Sequence, residues 1–508
     1  MGTIRFVRRA VIAAAIVASL AVQSVRADIS ENQVLVVYNS ASADGTALRT
    51  AYLAAHPGIP TTNILDLNDA SLLVPDLTYA NFVSKLRTPI RNHLNATGTA
   101  QSIVAIALLR PIPHRIQDTD NPTVGDAPSA AVNELSAGDA TYASVDTELA
   151  LLWQNLDTGE AGGTMDSLSD NMIVNPYHTS TVGIDAFSRA NITTAKTFAN
   201  LGNAAWGLAG SGAARLTAGD IYLVCRVDGT NLIDAEALID RAADNRVDRR
   251  HARILLDEYD LAVRADLDDD PLFASNDPFL AGDDYEDTRD LLTAAGWDVR
   301  YDDTFNFISS AEETHPLIAY TSYGENHDVG GAGEDPPGVG SYINGFNFLP
   351  GAIFSSLESF NGRALNGLGT AAGQEQAADF ITAGGTFAAG NVYEPFSFSI
   401  PDSEFLIGNM LVDHQTFAEA AYASFPALSW QQIAIGDPLG RVNLLGDLDD
   451  DGDIDATDTA TLLDCLAGPG VLTPPTSCST TDFARADLDA DGDVDLADFS
   501  IYQPLYGG

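Results

Sequence analysis

The sequence predicts an α/β protein, a mostly parallel sheet flanked by helices, with a small all-α module at its C-terminus. Three observations carry this. Short continuous apolar runs recur along the chain, amphipathic patterns separate them, and the last sixty-odd residues switch to a doubled acidic repeat. Strands that are apolar at every position belong to a sheet covered on both faces, and alternation with helices marks parallel crossovers.

The predicted strands, in order, are 34–38, 103–109, 221–224, 254–256, 317–321, 352–357, 386–389 and 433–435. The predicted helices are 47–56, 79–94, 234–243, 285–295, 374–382 and 417–424. Between Leu109 and Ala186 the pattern is too weak to place elements. No low-complexity linker precedes Gly446, so the tail is expected to sit close against the rest.

The N-terminus reads as an export leader. Arg5, Arg8 and Arg9 precede an apolar run from Ala10 to Val22, and Val25-Arg26-Ala27 offers a small-residue cleavage site. The expected organisation is a leader over 1–27, an α/β domain over 28–445 with room for two subdomains, and the tail module over 446–508. The run is too short to span a bilayer, and no later stretch reaches about 18 apolar residues. Localisation outside the cell or at its surface follows.

Acids outnumber Lys and Arg by 71 to 25. Such a surface repels nucleic acid and anionic lipid, which removes both as partners. Cys465 and Cys478 flank a Gly/Pro-rich loop, and export permits a disulfide between them. Cys225 ends an apolar run and reads as an inert core thiol.

The tail carries one twelve-residue pattern twice. Asp447, Asp449, Asp451, Asp453, Asp455 and Asp458 surround Gly452; Asp487, Asp489, Asp491, Asp493, Asp495 and Asp498 surround Gly492 in the same spacing. Hard cations take six to eight oxygens, supplied in an EF-type loop from positions 1, 3, 5, 7, 9 and 12, with position 7 giving its backbone carbonyl. Glycine at position 6 permits the sharp turn. Each copy therefore predicts one Ca²⁺, two ions per chain.

These residues resemble a type I dockerin over Gly446–Gly508: two calcium loops, each followed by one short helix (457–466 and 496–503), without the entering helix of an EF-hand. The resemblance implies a cohesin-like or cell-surface protein partner, and company with polysaccharide-degrading enzymes. Positions 10 and 11, which govern partner choice in dockerins, are Ala456-Thr457 and Leu496-Ala497 here, a pair that differs between the copies.

The α/β region resembles an uncharacterised family of secreted bacterial proteins. The segments that carry this are Val34–Asn39 with Gly58–Pro60, Ser144–Glu148, Leu349–Ala352 with Leu357–Phe360, Asn391–Pro395, and Ser429-Trp430 with Gly436–Pro438. It is more distantly similar to gingipain-like, caspase-fold cysteine peptidases, which end one strand in Gly-His-Gly and the next in Cys-Gly. Here Tyr323 stands at the His position and Ser359 at the Cys position. A serine needs an adjacent base, and His327 is the nearest candidate; tyrosine, with a pKa near 10, is a poor one.

Glu358 and Glu394 each follow an apolar strand, where open α/β sheets place their crevice, and a facing carboxylate pair suits glycosidic chemistry. The sequence lacks a His-x-x-x-His zinc pair, a Gly-x-Ser-x-Gly elbow and a Walker loop. Asp266-Leu-Asp268-Asp-Asp270 starts like a calcium loop but puts Pro271 where glycine is needed, and reads as an acidic loop. Three functions stay open: an extracellular assembly protein with a silent α/β domain, a component acting on polysaccharide, and a Ser-dependent hydrolase acting on peptide.

Overall fold

A computed structural model describes residues 29–117, 143–154, 173–198, 214–243, 245–258, 285–304, 308–324, 342–365, 376–393, 395 and 399–506. The predicted leader over 1–27, the acidic segment Asp266–Asp270, His327 and Glu394 lie outside the described residues.

The described strands are β1 (Val34–Tyr38), β2 (Ile64–Asp66), β3 (Asp76–Thr78), β4 (Ala105–Leu109), β5 (Arg115–Gln117), β6 (Ile173–Val174) and β7 (Leu223–Val227). After them come β8 (Arg253–Asp257), β9 (Asp298–Asp302), β10 (Leu317–Ser322), β11 (Phe348–Ser356), β12 (Phe387–Asn391), β13 (Ala427–Leu428) and β14 (Gln432–Ile435). Ten of them form one sheet in the order β2-β1-β4-β7-β14-β12-β11-β10-β8-β9.

Every pairing in that sheet is parallel except β12 with β14. That single antiparallel seam divides the sheet into two five-stranded halves running in opposite directions. The carboxyl edge of β9, β8, β10, β11 and β12 therefore lies beside the amino end of β14, with Asn391 opposite Gln432. Periodicity predicts a parallel sheet but is blind to this reversal, because a strand looks the same to its neighbours' sequence in either direction.

β4 and β7 are buried at every position, which requires cover on both faces. The cover comes from packed helix groups: Ala43–Ala55 against Leu232–Ala243, and Tyr285–Ala294 against Ser403–Leu411, itself packed on Phe417–Ser424. Helix Ser403–Leu411 was not predicted. It is buried nearly all round, so its sequence lacks the polar face that marks a helix.

The predicted helix at 79–94 runs from Tyr79 to Thr97, but passes through a π turn at Val83–Arg87. Pro89 explains the turn: it has no N–H to give the carbonyl four residues back, so the ladder changes step before it. β2 and β9 were also missed. They are the two edge strands, short or only half-buried, and carry no continuous apolar run.

The tail has its own small core, built on Leu448, Leu462, Phe483, Val494, Tyr502 and Leu505. Its helices are Ala456–Cys465, Thr480–Ala486 and Leu496–Tyr502. Thr480–Ala486 leads into the second loop, so the expectation of no entering helix holds for the first copy and fails for the second. Cys465 and Cys478 are joined by a disulfide. Cys225 is fully buried, and burial pushes its thiol well above the ordinary range, which keeps it an inert core group.

Candidate metal centres and the carboxyl edge of the sheet

The two acidic loops fold as near copies. In the first, the Asp458 carboxylate accepts from the backbone N–H of Leu448 at 2.6 Å and of Asp455 at 2.7 Å. In the second, Asp498 accepts from Leu488 and Asp495 at the same two distances. Gly452 donates to Asp447 Oδ2 at 2.9 Å, and Gly492 to Asp487 Oδ2 at 2.9 Å. Both glycines sit at positive φ, +97° and +94°, where a side chain is strained. Asp455 and Asp495 cap the helices that follow.

Carboxylate oxygens converge inside each loop. Asp447, Asp449 and Asp458 place theirs within 4.8 Å of one another, as do Asp453, Asp455 and Asp458. Asp487, Asp489 and Asp498, and then Asp493, Asp495 and Asp498, repeat the arrangement. Asp451 and Asp491 are not in these clusters; each accepts a backbone N–H, from Asp453 and Asp493.

Two oxygens in this setting, Asp447 Oδ1 and Asp493 Oδ1, are buried without a hydrogen-bond partner among the described residues. Burial, with Asp458 and other acids beside it, raises the Asp447 carboxyl to about 7. Burial and Asp451 raise Asp449 to about 6. Crowded carboxylates with orphaned oxygens and no nitrogen or sulfur donor fit a hard divalent cation.

The carboxyl edge of the second half-sheet holds the other candidates. β10 and β11 are hydrogen-bonded neighbours that end on the same edge, and Tyr323 and Ser359 follow them. Tyr323 is buried in a small apolar cluster with Leu357 and Ile400, and Ser359 is nearly buried. Glu358 is fully buried. Its Oε2 accepts from Tyr342 Oη at 2.6 Å and Ser356 Oγ at 2.7 Å. It lies so close to Gly324, at φ +83°, that a Cβ there would fall 1.9 Å from Glu358 Cγ.

Asn391 Nδ2 donates to the Glu358 carbonyl at 3.0 Å, and Asn361 Nδ2 to Ser356 Oγ at 2.8 Å. The edge is thus a tight polar lattice around Glu358. Four of the segments behind the main-region resemblance, Ser144–Glu148, Leu357–Phe360, Asn391–Pro395 and Ser429-Trp430, bond one another in two pairs. Ser144 N and Thr147 Oγ1 both donate to the Trp430 carbonyl, at 2.7 and 2.6 Å, Ser429 Oγ bonds Glu148, and Phe360 N donates to the Tyr393 carbonyl at 2.9 Å.

Two groups escaped the sequence reading. Asp257 ends β8 opposite Ser322 of β10 and is fully buried. Its Oδ2 accepts from Ile308 N at 2.9 Å, its Oδ1 has no partner among the described residues, and burial raises its carboxyl to about 7. An acid closing an apolar strand was the available signal.

The second is Arg226, fully buried in the middle of β7. Its guanidinium grips Asp146 through Nε, at 3.0 Å from Oδ2, and Nη2, and reaches Asp228 at 3.5 Å. His114 lies in the same region. Its Nε2–H donates to the Arg363 carbonyl at 2.7 Å, and burial, with Arg226 and Arg115 nearby, holds it neutral, well below 6.5. An arginine inside an apolar strand was again visible, with Asp228 two residues on, but Asp146 comes from the helix Val145–Ala150.

No described helix is long and apolar enough to cross a membrane. No curated protein and no solved structure matches the chain. Residues 445–503 match the family model of the dockerin type I domain, over the stretch that holds all four carboxylate clusters. The chain therefore carries a C-terminal dockerin module, a calcium-binding domain of the kind that attaches extracellular proteins to cohesins.

Proposed function

We propose that this is an exported attachment protein: a leader over 1–27, an α/β domain over 28–445 carried as cargo, and a dockerin over 446–508. Two Ca²⁺, held by Asp447, Asp449, Asp451, Asp453, Asp455 and Asp458 and by their second-copy counterparts, set the module for a cohesin-type partner. The observation that carries this reading is the duplicated cradle, matched to within 0.1 Å in its Asp458 and Asp498 hydrogen bonds.

Calcium supplies the charge that lets these carboxylates stay together ionised. The chain's own residues do the rest. Gly452 and Gly492 make the turn, backbone N–H groups fix Asp447, Asp458, Asp487 and Asp498, and the capping acids start the helices.

Calorimetry on the full chain, with calcium and after chelation, tests the reading, together with capture on immobilised cohesin modules in the same two conditions. Two ions per chain and calcium-dependent capture are expected. A chain that takes up no calcium sinks the proposal.

For the α/β domain the silent reading has support in Glu358, whose carboxylate is sealed under Gly324 and committed to Tyr342 and Ser356. An acid so placed is a poor proton donor to a glycosidic oxygen. The second reading is a caspase-like hydrolase with Ser359 as nucleophile and His327 as base. It is favoured by Tyr323 and Ser359 following adjacent parallel strands at one edge. Peptide and glycan panels with Ser359→Ala, Glu358→Gln and Glu394→Gln separate the readings. Turnover by the wild type that Ser359→Ala alone abolishes overturns the silent one.

A further inference from the structure

The two calcium loops are near copies, yet only the first is tied to the α/β region through described contacts. The apolar core of that region includes Leu444, and the next residue, Leu445, packs on the core of the module. Val247 N donates to the Asn443 carbonyl at 2.9 Å, and Leu445 N to the Val247 carbonyl at 3.0 Å, so the crossing point is stitched by backbone. The gap that Val247, Arg249, Leu445, Ile454 and Leu505 leave between them is about 30 Å³.

One side chain of the α/β region, His414, then meets the first loop directly, and a second, Arg246, reaches it through Arg485 of the helix Thr480–Ala486. The His414 ring lies on Gly452, so that a Cβ at position 452 would fall 2.1 Å from its Cδ2. Arg441 Nη1 holds the His414 carbonyl at 2.9 Å. Arg246 Nη1 donates to the Arg485 carbonyl at 2.6 Å. Arg485 in turn donates to the Leu448 carbonyl at 3.3 Å and pairs with Asp450, both within the first loop.

The second loop is built differently at the same positions. Gly492 meets only Leu472, at 3.6 Å. Position 4 is Ala490, which shares the positive φ of Asp450, 58° against 57°, but has no carboxylate to offer.

We propose that calcium binding in the first loop and seating of the module on the α/β region are one coupled event, with Arg246 and His414 as the docking residues, while the second loop takes its ion independently. This rests on the calcium reading above. Without the ion, the crowded carboxylates of the first loop repel one another. The turn at Gly452 and the Leu448–Asp450 strip then lose the geometry that meets His414 and Arg485. Coupling is reciprocal, so the docking contacts raise the first site's affinity by the factor by which calcium favours docking.

The test uses the full chain. Asp487→Asn with Asp489→Asn leaves the first site to be titrated, and Asp447→Asn with Asp449→Asn leaves the second. Adding Arg246→Ala and His414→Ala should weaken the first site about tenfold, within the usual range of such couplings, and leave the second within about twofold. Hydrogen exchange at the Val247 and Leu445 amides, in the wild type and in the chain that keeps the first site alone, gives a second readout. Both should exchange faster in chelator, and both should stay protected when calcium fills the first site alone. Equal affinities with and without the docking side chains, or amides equally protected in chelator, overturn the coupling. Absence of any calcium uptake by the wild type overturns the calcium reading itself, and the coupling with it.

Discussion

The tail and the carboxyl edge of the sheet are both gatherings of acids, but they are assembled in opposite ways. In the tail, twelve consecutive residues supply a whole cradle, and the backbone of the same segment orients it through Asp458 and Asp498. At the sheet edge, Asp257, Ser322, Glu358 and Asn391 come from four separate strands or their ends, and their setting depends on register and burial. A local site is cheap to specify and exposed to its medium. A site built from distant strands is dry, and its chemistry belongs to the fold as a whole.

The largest test of this contrast is calcium removal. At free calcium a thousandfold above the dissociation constant, each bound ion adds about 4 kcal/mol. Chelation should therefore melt the tail while the sheet stays folded, giving two separate transitions in calorimetry. A single transition that chelation does not move would erase the distinction between a local and a distributed site.

Next comes Arg226→Ala. It strands Asp146 and Asp228 in the interior of the other region and should cost about 3–5 kcal/mol, measured by chemical denaturation in saturating calcium. The loss should fall on the sheet's transition and spare the tail. A cost under about 1 kcal/mol would mean that the buried cluster is relaxed by water.

Asp257→Asn sharpens the comparison through pH. The folded-state carboxyl lies at about 7, above its ordinary value of 3.8. The folded chain therefore binds more protons, and this residue withdraws stability as pH rises from about 4 to 7, with the full loss present above 7. At about 1.4 kcal/mol per pH unit, the ceiling is about 4 kcal/mol. Asp257→Asn should be more stable than wild type at pH 8 and close to it at pH 4. An equal difference at both pH values would show that Asp257 is ionised and well solvated.

The smallest expected effect is that of the Cys465–Cys478 disulfide, whose residues are 13 apart. Closing so short a loop is worth about 3 kcal/mol in the chain-entropy model, so Cys465→Ser with Cys478→Ser should lower the tail's transition and leave the sheet's in place. A drop in both transitions would mean that the two regions unfold together, which would also bear on the coupling through Arg246 and His414.

Legibility followed the same line. The helices Ala456–Cys465 and Leu496–Tyr502 fall within a residue of expectation, because cap, turn glycine and metal spacing are all local. The buried strands were readable from continuous apolar runs, whereas edge strands β2 and β9 and the all-round buried helix Ser403–Leu411 lack the contrast that reading needs. Glu358 was singled out for its place after a strand, yet the seal formed by Gly324, Tyr342 and Ser356 spans residues 324 to 358 and only folding brings it together. Asp257 and Arg226 were in view as polar residues within or at the end of apolar strands. Their meaning lay in burial and, through Ile308 and Asp146, in partners far along the chain.

By itself the sequence determined the α/β alternation and the doubled cradle, because periodicity and twelve-residue spacing act over distances the backbone fixes. The reversal at the β12–β14 seam, the burial that lifts Asp257, and the placing of His414 over Gly452 were decided by tertiary structure alone. Each depends on which distant segments share a neighbourhood, and in one dimension nothing distinguishes neighbours in space from strangers.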